Sequence, residues 1–390
     1  MAWANAGRPD CVGYGPPAEI VVTRRNDCIM TELPTIPLTD IREGGPVRHA
    51  IEARTRMRAL RDDCMSWLMP PVRVLLPAMD AVTRLWLRRS CSPYVAEIGA
   101  IAAAVGLPGL WFFNGTYAWG CTTVAREEGG APWLARTLDW PFPGLGRHLE
   151  IMRMRGPAGD FFNVGWPGYV GALTASAPGR FAAAINQAPL RRRTVSPLLR
   201  PYDLAANALS TWQLSFCPPD HLLRHVFETC RNFAQAKDRL ETVPIARPVI
   251  FTLVGCAPGE RCVIERTEQG FVTRVDDTVA ANDWLQPAKP WEARVAARLL
   301  FTASYEEAAA RSRARREALG SWPRGFACAD FAWVVPPVLN SFTRCAVQAC
   351  PARGRLSVVG YEIEDGRDLP LPVTKVRDMT VGADPIGIPA

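Results

Sequence analysis

The chain has 390 residues and a mass of 42.9 kDa, enough for one large domain or two modest ones. Hydrophobic residues make up 48% of it and charged residues 21%, which excludes an extended disordered chain and a collagen-like fibre. The net charge of +7, from 45 Lys+Arg against 38 Asp+Glu, is spread along the sequence, so no nucleic-acid partner is indicated.

The first part of the chain is predicted to be a lead-in followed by helices. Residues 1–30 lack the charged and apolar regions of a secretory signal and are expected to form a flexible lead-in. Apolar residues recur at helical spacing over 51–69 and 72–89, on either side of a Pro-Pro pair. A third helix is expected over 93–105, so residues 31–120 form a helical segment.

An apolar stretch runs from Val95 to Phe113, but it is not predicted to cross a membrane. Glu97 and the breaker Pro108-Gly109 interrupt it, which favours a buried helix followed by a strand. Since neither a secretory signal nor a convincing transmembrane helix is visible, the sequence favours a cytoplasmic protein.

A change of pattern at Cys121 marks the start of a strand-rich part, residues 121–390. Helical blocks are expected within it over 203–240 and 291–319. Runs of strands separated by helical blocks, without strict βαβ alternation, predict a largely antiparallel α+β structure with helices outside. The β-rich runs, bounded by Gly and Pro, are 121–125, 132–138, 149–154, 169–176, 180–186, 249–255, 261–265, 270–275, 344–349 and 355–362.

Two interpretations are open for residues 72–91. Leu, Met, Val and Trp residues occupy one side of this stretch, and Arg73, Arg84, Arg88 and Arg89 occupy another. The pattern is typical of a helix that lies in a membrane interface and would give a peripheral membrane contact. The commoner alternative, which we favour, is a helix packed on the sheet with its arginines in water.

The cysteines and histidines indicate no metal site. The twelve Cys contain no CxxC spacing, and the four His do not complete a zinc pattern. No cofactor is indicated either. The Cys residues are therefore expected to be small buried hydrophobes in a reducing compartment, with at least one exception.

The exception is Cys121, which opens a strand. Arg136 and Asp139 follow at +15 and +18, on the next strand and turn. A two-strand hairpin brings them back beside Cys121, where a cation lowers the pKa of a thiol and a carboxylate can hold a protonated amine. Taken alone, Cys121 fits a buried structural thiol better than a nucleophile, and Arg136 and Asp139 fit a surface ion pair.

Several segments match one known family, in the same order along the chain. They are CTTVA (121–125), ARTLDWPF (135–142), and the runs 168–174, 178–186, 248–259, 281–284 and 337–343. Together they resemble the nucleophile region and the following strands of the acid ceramidase and N-acylethanolamine acid amidase group. That group belongs to the N-terminal-nucleophile (Ntn) hydrolases and is related to bile salt hydrolases and penicillin V acylases.

This resemblance implies an Ntn-hydrolase four-layer αββα sandwich with a helical N-terminal segment, and a precursor that cleaves itself just before its nucleophile. The bond would be Gly120–Cys121, and the two resulting chains would stay associated. A free α-amino group has a pKa of about 7.7–8.0, close to the value of about 8.5 for a thiol. An N-terminal Cys can therefore supply both nucleophile and base, which suits a chain whose His residues lie in no recognisable catalytic context.

The resemblance also assigns roles to individual residues. Cys121 would be the nucleophile and its freed amine the base, Asp139 would anchor that amine, and Arg136 would lie beside the thiol. Asn282 matches the Asn that stabilises the oxyanion of the tetrahedral intermediate. Arg294 falls where the family has a further active-site Arg.

Three more residues, Asn186, Gln187 and Trp140, are expected to contact the substrate. Asn186 is also explained as a strand-end residue, and Asn282 as a residue that caps a turn. The family commonly has Glu where this chain has Gln187, and Gln cannot ionise.

The function implied is hydrolysis of linear N-acyl amides, of the fatty-acyl amide, ceramide or N-acylethanolamine type, through a thioester on Cys121. The partner would be a small-molecule acyl amide. One alternative is acyl transfer to an amine, or acylase chemistry of the penicillin V and bile salt branch. Another is an unprocessed, non-catalytic ligand-binding protein, which Gln187 keeps open.

Overall fold

The computed structural model describes residues 32–68, 70–116, 120–194, 196–286, 291–292, 305–364 and 366–381. The predicted lead-in, residues 1–30, lies outside the described residues. Ahead of Gly120, the described chain forms one short strand and a run of helices, as the sequence predicted for the helices. They are β1 (Leu38–Asp40), α1 (Gly45–Glu52), α2 (Arg54–Ser66), α3 (Pro70–Val74), α4 (Leu76–Arg89), α5 (Val95–Val105) and α6 (Leu110–Gly115).

The strand predicted after Pro108-Gly109 is wrong, because this stretch forms helix α6. The Asp80 carboxylate on α4 accepts hydrogen bonds from the backbone N–H of Gly109 at 2.6 Å and of Phe112 at 2.8 Å. A carboxylate in this place satisfies amides that have no partner within the helix, and so stabilises its first turn. The contact comes from another helix, so the local pattern of the stretch does not reveal it.

After residue 119 the described chain is dominated by strands. The strands are β2 (Gly120–Glu128), β3 (Ala131–Asp139), β4 (Glu150–Gly156), β5 (Gly159–Gly165), β6 (Thr174–Ala177), β7 (Phe181–Gln187), β8 (Leu190–Arg191), β9 (Val249–Val254), β10 (Arg261–Arg266), β11 (Phe271–Arg274), β12 (Val279–Ala280), β13 (Trp291–Glu292), β14 (Thr343–Cys350), β15 (Arg355–Glu362), β16 (Leu371–Pro372) and β17 (Arg377–Thr380). The helices are α7 (Arg200–Gln213), α8 (Pro219–Thr229), α9 (Phe233–Thr242) and α10 (Tyr305–Gly320).

Both predicted helical blocks of this part differ from the observed elements. The block over 203–240 is three helices, because Pro218-Pro219 begins a new one and the Asn232 side chain caps the next by accepting from the Gln235 amide at 2.9 Å. The block predicted from 291 begins instead with β13, which pairs with β8, and its described helix begins at Tyr305.

One predicted strand is also shorter than expected. The run 169–176 becomes a strand only at Thr174. The Asn114 side chain holds the preceding loop, since it donates to the Gly168 carbonyl at 2.9 Å and accepts from the Val170 amide at 2.7 Å. Those loop groups are therefore not available to a strand ladder.

The strands of the described residues form two large sheets. One has the order β1-β4-β5-β6-β7-β9-β10-β11, and the other has the order β12-β2-β3-β14-β15-β16, with β17 also paired to β15. Pairing is antiparallel throughout except between β1 and β4, which run parallel. The largely antiparallel arrangement agrees with the prediction, and β1 adds a strand to a segment that was predicted to be helical.

Helices cover the outer faces of both sheets. Strands β2 and β3 pack against β7 and β9 of the other sheet, so the two sheets lie face to face. Helix α8 lies on β4, β5 and β6, helix α9 lies on β9, β10 and β11, and helix α10 lies on β2 and β12. The order of layers is therefore helix, sheet, sheet, helix, which confirms the predicted αββα sandwich.

The space between the two sheets holds the main apolar core and also Cys121. Leu134 and Leu138 of β3 belong to one buried cluster there with Ala182 and Ala184 of β7 and with Cys121. Side chains alternate along a strand, so Cys121 and every second residue after it point into this core. Across the described chain, no helix has both the length and the apolar character that crossing a membrane requires.

Candidate active site

Strands β2 and β3 form the hairpin that the sequence predicted. Its two-residue turn is Gly129-Gly130, with φ of +57° and +73°, values that glycine adopts readily and that a tight hairpin turn requires. The register pairs Cys121 with Leu138 and Thr123 with Arg136. Thr123 and Arg136 thus lie on the same face of the sheet as Cys121, and Arg136 is near enough to reach its thiol.

The Cys121 thiol lies in a buried polar contact with Arg136. The Arg136 Nη2 donates to Cys121 Sγ at 2.8 Å and to the Ile185 carbonyl at 3.0 Å, while Nη1 donates to Thr174 Oγ1 at 2.5 Å. The Cys121 thiol is itself within 3.3 Å of the Ile185 carbonyl, to which it donates. Both Cys121 and Arg136 are fully buried, so this contact is shielded from water.

Burial decides the protonation of this thiol in the intact chain. It raises the pKa of Cys121 to about 11, although Arg136 and Arg315 act to lower it. The sequence predicted that Arg136 would lower the pKa of this thiol. That prediction is wrong, because burial destabilises the thiolate by more than the positive charge of Arg136 stabilises it. With residue 121 peptide-bonded and covered, the thiol is protonated at neutral pH.

Asp139 lies beside the peptide bond that precedes Cys121. It is paired in register with Gly120, and its carboxylate accepts three hydrogen bonds, each at 2.9 Å. The donors are Arg315 Nη1, Asn340 Nδ2 and Thr343 Oγ1. Three donors therefore hold this carboxylate in a fixed place next to the predicted cleavage site.

Asn282 reaches the same place from the loop after β12. Its side-chain oxygen accepts from the Cys121 backbone N–H at 2.9 Å and from Arg315 Nη2 at 2.8 Å. Its Nδ2, the group assigned to the oxyanion by the family resemblance, donates to the Gln187 carbonyl at 2.8 Å in this uncleaved chain. The backbone N–H of Asn282 is held by Ser312 Oγ on α10 at 3.0 Å.

The residues predicted to contact substrate are buried around this cluster. Asn186 accepts from Thr123 Oγ1 and donates to the carbonyls of Ala280 and Ala281, so it fixes the loop that carries Asn282. Gln187 supplies the carbonyl that accepts from Asn282.

Trp140 follows Asp139 directly and belongs to an aromatic cluster. Its ring stacks on Phe113 at 6.1 Å and meets Trp166 edge-on at 5.5 Å between ring centroids. It therefore joins the hairpin to helix α6. The predicted Arg294 lies outside the described residues.

Arg315 is a site residue that sequence reasoning missed. It lies on α10 among Arg311, Arg313 and Arg316, and nothing local distinguishes it from them. Asn340 and Thr343 fall in the segment 337–343 that matched the family, so that match was a signal, although it gave them no role.

Comparison with known proteins agrees with the resemblance seen in the sequence. No protein-family model matches the chain. A probable acid ceramidase of Caenorhabditis elegans is 26% identical over 216 residues, which are 50% of this chain and 52% of that protein. The chain is similar in sequence to this probable acid ceramidase. It spans about half the length of this curated relative.

Among solved structures, similar chains come from amide-bond hydrolases of two kinds. The Caenorhabditis elegans orthologue of N-acylethanolamine-hydrolyzing acid amidase has a TM-score of 0.43 at 16% identity, covering 60% of this chain and 93% of its own. A mutant of the conjugated bile acid hydrolase from Clostridium perfringens has a TM-score of 0.37 at 10% identity, covering 67% of this chain and 97% of its own.

Proposed function

We propose that this protein is an amide hydrolase whose nucleophile is Cys121. The observation that carries the proposal is that distant side chains hold both reactive atoms of this residue. Asn282 accepts from its backbone nitrogen at 2.9 Å and Arg136 donates to its sulfur at 2.8 Å. A buried structural thiol would need neither contact, since its amide would join the strand ladder and its sulfur would meet apolar groups.

We propose further that the chain cleaves itself at Gly120–Cys121. The Cys121 sulfur attacks the Gly120 carbonyl carbon, the C–N bond breaks, and the nitrogen takes a proton and becomes the amine of residue 121. Water then hydrolyses the thioester, which leaves a carboxylate on Gly120 and returns the thiol. Asp139 and Asn282 support this step, because Asp139 pairs in register with Gly120 and the Asn282 side-chain oxygen accepts from the Cys121 backbone N–H at 2.9 Å.

In the cleaved protein the same atoms would act on substrate. The freed amine accepts the thiol proton, the sulfur attacks the amide carbonyl, and the amine then protonates the leaving nitrogen. Water releases the acyl group from the resulting thioester. Asp139 holds the amine when it is protonated, and Arg136 stabilises negative charge on the sulfur.

We propose a linear N-acyl amide with a fatty-acyl or similarly apolar acyl group as the substrate. The support is an apolar pocket among the N-terminal helices, lined by residues that include Met57, Leu60, Leu110 and Phe113. Phe113 of this lining stacks on Trp140, the residue that follows Asp139. The Trp140 ring thus connects the apolar lining to the candidate site. An apolar cavity near a few polar groups suits a ligand with a hydrocarbon part and one reacting amide.

Purified full-length protein tests the proposal. We expect two bands on a denaturing gel, with N-terminal sequencing of the larger one starting at Cys121. After incubation with a lipid extract, mass spectrometry of the Cys121 peptide should show the added mass of a fatty-acyl group that hydroxylamine removes. A single chain that binds acyl amides without cleaving them would favour the binding-protein alternative, and transfer of the acyl group to an added amine would favour an acyltransferase.

We also propose a peripheral membrane contact through residues 72–91. Val82 and Leu85 on α4 are 57% and 54% exposed, and Arg88 and Arg89 lie at the exposed end of the same helix. Trp86 does not belong to this surface, contrary to the sequence interpretation. It is buried and donates from Nε1 to the Thr211 carbonyl at 3.2 Å.

Vesicle binding tests this contact. We expect Val82→Ser with Leu85→Ser to weaken binding to sedimented phosphatidylcholine–phosphatidylserine vesicles by about thirtyfold, since the two side chains together lose about 2 kcal/mol of apolar burial. Val272→Ser, at an exposed apolar position on β11, is the matched control and should bind as the unaltered protein does. Equal binding by all three proteins would remove the proposal.

A further inference from the structure

We infer that Arg315 is a positioning residue of this site, because one guanidinium holds the Asp139 carboxylate and the Asn282 side-chain oxygen in fixed places beside residue 121. The inference rests on the proposed function. It adds a residue that belongs to none of the segments matched to the family.

The geometry of the contact is that of a fork. Arg315 Nη1 donates to Asp139 Oδ2 at 2.9 Å, and Nη2 donates to Asn282 Oδ1 at 2.8 Å. The two nitrogens belong to one rigid plane, so the distance between the carboxylate and the amide oxygen is fixed by the guanidinium itself. Arg315 Nη1 also lies 3.6 Å from the position of a Cβ on Gly120, which places the charge at the predicted cleavage site.

The neighbouring Arg316 shows what a purely structural pair on this helix looks like. It donates to Asp283 Oδ2 at 3.2 Å, and the exposed fractions are 13% and 8% for this pair against 13% and 4% for Arg315 with Asp139. Both pairs tie α10 to other elements, and they are buried to a similar degree. Of the two arginines, only Arg315 contacts Asp139, which pairs with Gly120, and the Asn282 side chain, which accepts from the Cys121 backbone N–H.

The charge of Arg315 has a direct effect on the proposed base. Once the amine of residue 121 is free, Asp139 would stabilise its protonated form and raise its pKa. Because Arg315 shares that carboxylate and adds a second positive charge, it weakens this effect and keeps more of the amine unprotonated near neutral pH. The same charge opposes the effect of burial on the Cys121 thiol.

Two substitutions separate the charge from the fork. Arg315→Gln removes the charge and at most one contact remains. Arg315→Lys keeps the charge, but a single ammonium cannot reproduce the planar pair of donors. Arg316→Gln is the matched control, since it removes an ion pair of similar burial on the next residue.

The experiment follows self-cleavage by gel, and then the pH profile of kcat/KM on the cleaved protein with a fluorogenic fatty-acyl amide. For Arg315→Gln we expect cleavage and kcat/KM to fall at least about tenfold, and the acidic limb of the profile to move up by about one pH unit. The direction follows because activity is lost as the pH drops through the pKa of the amine, and removing the cation raises that pKa. Arg315→Lys should lose rate with a smaller shift of the limb, and Arg316→Gln should stay within about twofold with an unmoved limb.

Equal losses for Arg315→Gln and Arg316→Gln, with the acidic limb in place, would overturn this inference and leave the proposed function standing. A drop in melting temperature shared by both variants would assign Arg315 to docking of α10. An unaltered chain that neither cuts itself nor hydrolyses amides would overturn the proposed function, and the inference with it.

Discussion

Replacing Cys121 with Ala is expected to abolish both cleavage before residue 121 and amide hydrolysis. The substitution removes the sulfur that the proposal uses in both reactions. Loss of a covalent nucleophile leaves only substrate binding, so we expect a fall in turnover of at least about a thousandfold. A denaturing gel and a fluorogenic amide assay on the same preparation measure the two effects.

Cys345→Ala is the matched control for this experiment. Strand β3 lies between β2 and β14, and its Leu138 is paired with Cys121 on one side and with Cys345 on the other. Burial raises the pKa of the Cys345 thiol to about 12. It makes no contact with Asn282 or with the Gly120–Cys121 bond in the described structure, so its variant should still cleave and turn over substrate. Cleavage that persists in Cys121→Ala, or that is lost equally in both variants, would count against Cys121 as the nucleophile.

Replacing Arg224 with Ala is expected to cost about 3–5 kcal/mol of unfolding free energy. Arg224, on α8, donates two bonds to Glu97 on α5, at 2.5 and 3.0 Å, and one to Glu228 at 2.9 Å. Its guanidinium also lies 4.1 Å from the centre of the Tyr94 ring, whose hydroxyl donates to Glu228 at 2.7 Å. Removing the cation would leave two carboxylates in a largely buried place without their partner, which costs far more than a surface pair.

Urea denaturation of the full-length protein measures this cost. Arg48→Ala is the control, because the Arg48–Glu52 pair is 72% and 60% exposed and should contribute less than about 1 kcal/mol. Glu97 precedes the proposed cut and Arg224 follows it, so the network would also hold the two cleaved chains together. We therefore expect Arg224→Ala to release the helical chain at a lower urea concentration. An effect no larger than that of Arg48→Ala would refute this role.

The sequence predicted most of the strands because their patterns are local. Alternation and flanking glycines placed β2 and β3 within three residues of their observed bounds. Two of the errors arose where a distant side chain decided the backbone. Asp80 made a helix of the stretch after Gly109, and Asn114 kept the chain before Thr174 out of the sheet. Neither effect is visible within the stretch that it changes.

The site was predictable to the extent that it is built by one hairpin and by residues matching a known family. The spacing of Cys121 and Arg136 anticipated their contact, since the register of a hairpin with a two-residue turn follows from strand length. The raised pKa of Cys121 was not predictable, because it depends on the second sheet that covers it. Arg315 was not either, since a helix with several arginines gives no sign of which one faces the hairpin.

The place of β2 within its sheet has a consequence for the timing of activity. A newly made chain terminus normally frays. Here β2 has β3 on one side and β12 on the other, with Ala280 paired to Thr123, and Asn282 already holds the nitrogen of residue 121. The new amine would therefore already be ordered, because the conformational entropy of residue 121 was lost when the intact chain folded. Full catalytic competence should then coincide with scission, with no lag for rearrangement.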